Sequence, residues 1–270
     1  FEDAYDFEKK YGYWNTNKLN NIIDVNKTFF LSNHEGLIYG KSDIEFSDKS
    51  KVVDYKGRTD LVTIADKKSE KLIIDTILDK FQDHSILAEE SGKSQDKLEE
   101  TFWVVDPLDG TANYSRDIPI CCVSISLIID LEPVMGVIYD FNNKDLYEGS
   151  IFRPASLNGQ ALNVSSILKS SDGILVTGLP NNTDYSDVAM LKMIKDFQDW
   201  KKVRMIGSAA MASAYVASGK ADVYKEFGTY LWDVAAGAAI VNAAGGKAEI
   251  SNLRDNYQVD VHFSNSKIIG

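Results

Sequence analysis

The chain has 270 residues, of which 44% are hydrophobic and 26% charged, enough apolar material for a substantial folded core. With 29 basic and 40 acidic side chains its formal net charge is −11. A surface this acidic repels phosphate backbones, which argues against nucleic acid as a partner.

The opening Phe1–Asp6 stretch lacks the basic and apolar segments of a signal peptide. Residues 1–50 are polar and aromatic with weak periodicity, and Lys41 to Lys51 is charged. From Asp66 the pattern sharpens: Ile73, Ile77 and Phe81 fall four apart beside Ile74 and Leu78, predicting an amphipathic helix capped by Asp66. Ser85–Ala88 and Phe102–Val105 are short apolar runs that lead into acidic residues, as buried strands with carboxylates at their ends would. Val123–Ile129 and Val134–Tyr139 read as a strand pair joined through Asp130–Pro133. The adjacent Cys121 and Cys122 form no disulfide framework and fit a reducing, cytoplasmic setting as small core residues. The longest apolar run, Val123 to Leu131, is broken by serines and by Asp130, well short of the roughly 20 residues of a membrane span.

Past Asn163 the rhythm alternates between strand and helix. Ile174–Thr177 reads as a strand and Val188–Trp200 as a helix. A small-residue helix from Ser208 ends at Gly219, a residue suited to a left-handed cap. Ala221–Tyr224 is a short strand, and Asp233–Ala244 a helix closed by Gly245 and Gly246. The composition shift near residue 160 suggests two halves sharing one sheet-rich core, in an α/β or α+β layered class.

The chemistry concentrates in Trp103-Val-Val-Asp-Pro-Leu-Asp-Gly-Thr-Ala-Asn-Tyr114. A strand delivers Asp106, Pro107 ends the ladder because it has no N–H, and the turn presents Asp109 three residues on. Gly110 lets backbone approach a ligand, and Thr111 can open a helix whose free N–H groups bind phosphate. Carboxylates so spaced suit a hard cation such as Mg²⁺, although Asp-Pro and Asp-Gly are also ordinary turn dipeptides. Ile86-Leu-Ala-Glu-Glu-Ser-Gly92 ends a strand in two acids, a pattern that also fits solvated surface. In Leu231-Trp-Asp-Val-Ala-Ala-Gly237, Asp233 stands at a helix start, where it is either a ligand or an N-cap. Asp60 and Thr63 precede the first helix. His34, His84 and His262 lie outside all of these segments.

Taken together, Asp106 to Tyr114, Trp232 to Gly237 with Ala243 to Gly246, Glu89-Glu90-Ser91, and Asp60-Leu-Val-Thr63 with Asp66 resemble the inositol monophosphatase family, within the lithium-sensitive, metal-dependent phosphatases. The resemblance spans about residues 55–250 and implies an α-β-α-β-α sandwich of the type shared with fructose bisphosphatases. It implies one catalytic domain over 1–270, with a metal-binding α+β half to about 160 and an α/β half from about 161. It implies a homodimer and two or three Mg²⁺ per active site, held by Glu89, Asp106, Asp109, Asp233 and the Leu108 carbonyl. Asp60, Glu89 and Thr111 are the implied catalytic residues, with Thr111 and Asp60 positioning and deprotonating water. Asp109, Gly110, Thr111, Gly207, Ser208, Ala209, Glu226 and Asp233 are the implied substrate contacts. The implied substrate is a small phosphorylated metabolite such as myo-inositol monophosphate. Fructose 1,6-bisphosphate, NADP or a 3′-phosphoadenosine nucleotide are alternatives, and a non-catalytic metal-binding or regulatory relative is a remoter one. The chain departs from the family pattern at Ser150 to Leu157, where a Gly-x-Gly is frequent, and at Asn242, where Glu is frequent.

Overall fold

The computed structural model describes residues 53–55, 61–94, 98–180 and 183–268. Asp60 and the first 50 residues lie outside the described residues. In chain order, β1 (Val53–Tyr55) pairs antiparallel with β2 (Leu61–Thr63), which runs straight into helix α1 (Ile64–Lys80). There follow β3 (Ser85–Ala88), β4 (Gly92–Lys93), β5 (Thr101–Asp109), the one-turn α2 (Thr111–Tyr114), β6 (Cys122–Ile129), β7 (Glu132–Asp140), β8 (Asp145–Ser150), β9 (Arg153–Leu157) and β10 (Gln160–Ala161). The second half holds β11 (Ile174–Thr177), α3 (Asp187–Gln198), β12 (Lys202–Met205), α4 (Ala209–Ala217), β13 (Val223–Tyr230), α5 (Leu231–Ala243), β14 (Lys247–Ser251) and β15 (Gln258–Ser264).

The first half folds into an eight-stranded sheet of order β10-β9-β8-β7-β6-β5-β3-β4, and the second into a five-stranded sheet of order β12-β11-β13-β15-β14. Helices α4 and α5 pack together, and α5 reaches both sheets, so they fill the layer between them; α1 packs on β5. β11 is parallel to both β12 and β13, which lie on its opposite sides. Right-handed crossovers running in opposite directions place their helices on opposite faces, so α3 lies outside and α4 inside. The layers are helix, sheet, helices, sheet, helix, as expected.

Being squeezed from both sides explains the composition of α5. Leu-Trp-Asp-Val-Ala-Ala-Gly-Ala-Ala-Ile-Val-Asn-Ala is small and apolar almost throughout, so no polar face is needed. A Cβ on Gly136 of β7 would lie 2.1 Å from the Ala236 carbonyl oxygen, and one on Gly237 would lie 2.2 Å from Ser213 Cβ of α4. Neither position admits a side chain while these backbones pack at this distance. One apolar cluster runs from Leu87 and Phe102 through α4 and α5 to Phe263, joining both halves.

Several boundaries differ from the expectation. α1 begins at Ile64, so Asp66 sits in its first turn and not at the cap. β5 is assigned through Asp109, yet its pairing with β6 breaks between Asp106 and Asp109, where Pro107 has no donor to give. Asp233 is the third residue of α5, behind an N-cap at Tyr230. β1, β2, β4, β8, β9, β10, β12, β14 and β15 carry no clear strand signal in the sequence, being short or mixed in polarity. No helix among the described residues is long and apolar enough to cross a membrane.

Candidate metal centre

Parallel pairing of β3 with β5, Ala88 opposite Val105, brings Glu89 and Asp106 to one edge of the sheet. Glu89 N–H donates to the Val105 carbonyl at 3.1 Å, holding the turn after β3 against β5. Where the ladder breaks, Leu108 N–H donates to Asp106 Oδ1 at 2.9 Å, a tight bulge that points two carboxylates to the same side. Asp233 arrives from the first turn of α5. One carboxylate oxygen from each of Asp106, Asp109 and Asp233 lies within 4.8 Å of the others.

The electrostatics match that crowding. Burial drives the Asp106 carboxyl well above the usual range, and the charges of Glu89, Asp109 and Asp233, with a hydrogen bond to Glu89, add to it. Burial raises Asp109 to about 6, against the opposing pull of the Ser208 hydroxyl and the backbone N–H groups opening α4. One of those groups, Ala210 N–H, donates to Asp109 Oδ2 at 2.7 Å. Burial, then the charge of Asp109, raises Asp233 to about 7. Tyr230 N–H at 3.0 Å and the Thr229 hydroxyl at 2.8 Å work the other way, both donating to Asp233 Oδ2. Among the described residues none of Asp106, Asp109 and Asp233 forms an ion pair with Lys or Arg. A cluster of buried carboxylates in this condition must be neutralised by protons or by cations. Hard oxygen donors at this spacing fit Mg²⁺.

Gly110 has φ +90°, and a Cβ there would lie 2.8 Å from the Ile120 carbonyl oxygen, so the turn into α2 requires glycine. Thr111 Oγ1 lies 3.1 Å from Asp66 Oδ1 and 3.0 Å from the Leu108 carbonyl oxygen, sharing its one proton between two acceptors. Asn113 Nδ2 donates to the carbonyls of Ile206 at 2.7 Å and Ile120 at 2.8 Å, tying the start of α2 to the loop that carries Gly207. Ser208 caps α4 while its hydroxyl donates to Asp109. On β13, Glu226 Oε2 accepts from the Tyr224 hydroxyl at 3.0 Å, and burial raises its carboxyl to about 8.

Glu89, Asp106, Leu108, Asp109, Gly110, Thr111, Gly207, Ser208, Ala209 and Asp233 therefore gather around one centre. Glu226 stands close enough for the charges of Asp233 and Asp109 to act on it. Asp60 lies outside the described residues, and the described side-chain partner of Thr111 is Asp66. Sequence reasoning missed Thr229, Tyr224 and Glu70. Glu70 had a legible signal: it follows Asp66 by four residues on a helix face that is otherwise apolar.

Residues 40–264 match the model of the inositol monophosphatase family. The Nus factor SuhB of Escherichia coli K12 is 38% identical over 192 residues, which cover 71% of this chain and 72% of that protein. The inositol-1-monophosphatase of Synechocystis is 38% identical over 207 residues, 73% of this chain and 70% of that one. Among solved structures, the inositol monophosphatase from Anabaena superimposes with a TM-score of 0.69 at 36% identity, covering 76% of this chain and 82% of that chain.

Proposed function

Because the chain belongs to the inositol monophosphatase family, we propose that it is a Mg²⁺-dependent phosphatase that releases phosphate from a small polyol or sugar monoester. The observation that carries this reading is the meeting of the buried Asp106 and Asp109 with the partly buried Asp233 within 4.8 Å, in a cluster also touched by the Glu89 charge. Two or three Mg²⁺ per site would be held by Glu89, Asp106, Asp109, Asp233 and the Leu108 carbonyl. When bound, they supply charge neutralisation of the phosphate and a water acidic enough to attack at neutral pH.

The chain's own groups then do the orienting. The Thr111 hydroxyl, its proton committed to Asp66 and the Leu108 carbonyl, keeps a lone pair free to align water. Asp60, on the family pattern, would assist in taking that water's proton, which the Thr111 hydroxyl could accept only by passing its own to Asp66. Gly110 and Thr111 N–H groups face the phosphate, and the backbone of Gly207 to Ala209, fixed by Asn113, forms a wall beside the alcohol. Glu226 reads the hydroxyls of that alcohol. The reading includes a homodimer in the cytoplasm, with a phosphorylated metabolite and not nucleic acid as its ligand. Relatives named Nus factor SuhB carry a name that specifies no substrate.

A phosphate-release panel with and without EDTA tests this. Myo-inositol monophosphate, fructose 1,6-bisphosphate, NADP, a 3′-phosphoadenosine nucleotide and an aryl phosphate are compared at equal Mg²⁺. The expected result is metal-dependent turnover that is highest on the inositol ester. Preference for a bisphosphate would move the substrate to the alternatives, and no turnover on any of them would sink the phosphatase reading.

A further inference from the structure

Gly136 and Gly178 both leave no room for a side chain, but what fills the room differs. A Cβ on Gly136 would strike the backbone of Ala236. One on Gly178 would lie 2.7 Å from Cδ and 2.8 Å from Oε1 of Glu226, and closer still to Oε2. The φ of Gly178 is outside the left-handed region, so conformation does not call for glycine there. Topology brings the two residues together. β11 ends at Thr177 and runs parallel to β13 with Val176 opposite Tyr224, so Gly178 comes level with Glu226 two residues on. The chain after β11 leaves for α3 on the outer face, whereas β12 and β13 lead into α4 and α5 on the inner one. Strand ends that part to opposite faces open a crevice, the usual ligand position in an α/β sheet.

We propose that Gly178 is a specificity-determining residue: its bare backbone is the seat in which the Glu226 carboxylate lies back onto Tyr224, leaving Oε1 to accept from a hydroxyl of the substrate alcohol. This rests on the reading of Glu226 as the alcohol contact. Tyr224 and Glu226 share one face of β13, and Lys225 between them faces the other way. Tyr224 is fully buried with its ring edge-on to Phe263, centroids 5.8 Å apart, so its hydroxyl is a fixed donor to Oε2 at 3.0 Å. The Lys225 ammonium pairs with Asp196 of α3 at 2.5 Å, and among the described residues Glu226 forms no ion pair. An acceptor without a cation beside it suits a hydroxyl better than a second phosphate. A methyl at position 178 would evict the carboxylate from this seat. Because the clash falls on the free end of a flexible side chain, Glu226 can yield by rotating while the fold stays in place. Oε2 would then lose its donor and Oε1 its place.

The test uses the full chain with Mg²⁺ and reads one ratio, kcat/KM on myo-inositol monophosphate over kcat/KM on an aryl phosphate. Gly178→Ala should lower that ratio by roughly 10-fold, the loss expected when a hydrogen bond to a charged acceptor goes. In a Glu226→Ala background the same substitution should move the ratio no further, because a residue acting through another loses its own effect when that other is removed. Melting of the metal-free chain gives the same coupling without turnover. Alanine for glycine stabilises where the backbone permits it, so Gly178→Ala should raise the melting temperature in the Glu226→Ala background and do so less, or lower it, beside Glu226. Equal effects of Gly178→Ala in the two backgrounds would overturn the proposal, since position 178 would then act by some route other than Glu226. An unchanged ratio for Gly178→Ala, with Glu226→Gln lowering it, would overturn it as well. A ratio that Glu226→Gln itself leaves unchanged would instead sink the reading of Glu226 as the alcohol contact, and the specificity role of Gly178 with it.

Discussion

The two halves of the molecule meet the active centre on different terms. In the eight-stranded half, Asp106 and Asp109 stand on a strand whose residues from Phe102 onward are all buried, and its neighbour β6 is buried over its whole length. In the five-stranded half, Ser208 caps α4, Glu226 stands midway along β13 and Asp233 lies in the first turn of α5, and the periphery is open: no residue of α3 is buried, and Val188, Leu191, Ile194 and Met205 are exposed. Gathering like charges needs support that cannot yield, because each carboxylate raises the cost of the next. A wall that reads an alcohol makes ordinary hydrogen bonds and tolerates a looser frame. The difference suggests that the first half supplies most of the chemistry, joined by Asp233 from the second, and that the rest of the second half reads the substrate.

The sharpest way to break that division is Asp109→Asn. Asp109 belongs to the first half, yet its carboxylate is held by Ser208 and Ala210 from the second. Turnover should fall by at least about 100-fold to 1000-fold, as when a group stabilising transition-state charge is lost. Circular dichroism should show an intact fold, since Asn keeps the shape and an acceptor. Near-wild-type phosphate release would remove Asp109 from the centre.

Next in size is Gly136→Ala, aimed at the packing that joins the halves. The new methyl would fall 2.1 Å from the Ala236 carbonyl oxygen, so β7 and α5 must separate. Overpacking of this kind costs about 1–3 kcal/mol, a loss of roughly 2–4 °C in melting temperature for each kcal/mol. Thermal denaturation of the metal-free chain reads it directly. An unchanged melting temperature would mean that the interface relaxes freely and the halves are less firmly joined than their shared core suggests.

Legibility in the sequence followed the same division. The carboxylates of Asp106, Asp109 and Asp233 and the turn at Gly110 could be read because a strand, a proline and a glycine leave strong local marks. Ile174–Thr177 has the predicted bounds. The β8 and β9 strands could not be read, because their partly exposed positions interrupt the alternation that marks a strand. β13 runs six residues beyond the predicted end at Tyr224, since pairing with β15 continues past the bulge between Phe227 and Thr229. Asp66 and Glu70 share a helix face with Ile73 and Ile77, yet a single sequence names no partner for either. Only the loops that fold back onto α1, 20 and 45 residues away, give them partners.

A smaller effect tests the second half alone. Glu226→Gln keeps the size and an acceptor oxygen and loses the charge. Hydrogen bonds to a charged acceptor contribute about 1.5–3 kcal/mol, so turnover of myo-inositol monophosphate should fall by roughly 10-fold. An aryl phosphate has no such hydroxyls, and its turnover should stay nearly unchanged. Equal losses on both substrates would place Glu226 with the chemistry and blur the division between halves.

The smallest effect concerns the same residue without metal or substrate. Burial raises the Glu226 carboxyl from 4.5 to about 8, Asp233 and Asp109 push in the same direction, and the Tyr224 hydroxyl opposes them by donating to Oε2. The folded chain therefore holds this proton more tightly than the unfolded chain does. Below about pH 4.5 both states are protonated and the group costs nothing. As pH rises from there toward 8 the unfolded state ionises first, and stability is lost across that window. Glu226→Gln cannot titrate, so in chelator its melting temperature should gain on the wild type as pH rises from 5 to 8. The gain should reach about 2–4 °C, equivalent to roughly 1 kcal/mol for a chain of this length. Asp106, Asp109 and Asp233 are present in both proteins, so their own titrations largely cancel in the comparison. A difference that stays flat from pH 5 to pH 8 would mean that Glu226 is ionised throughout, as a solvated carboxylate is.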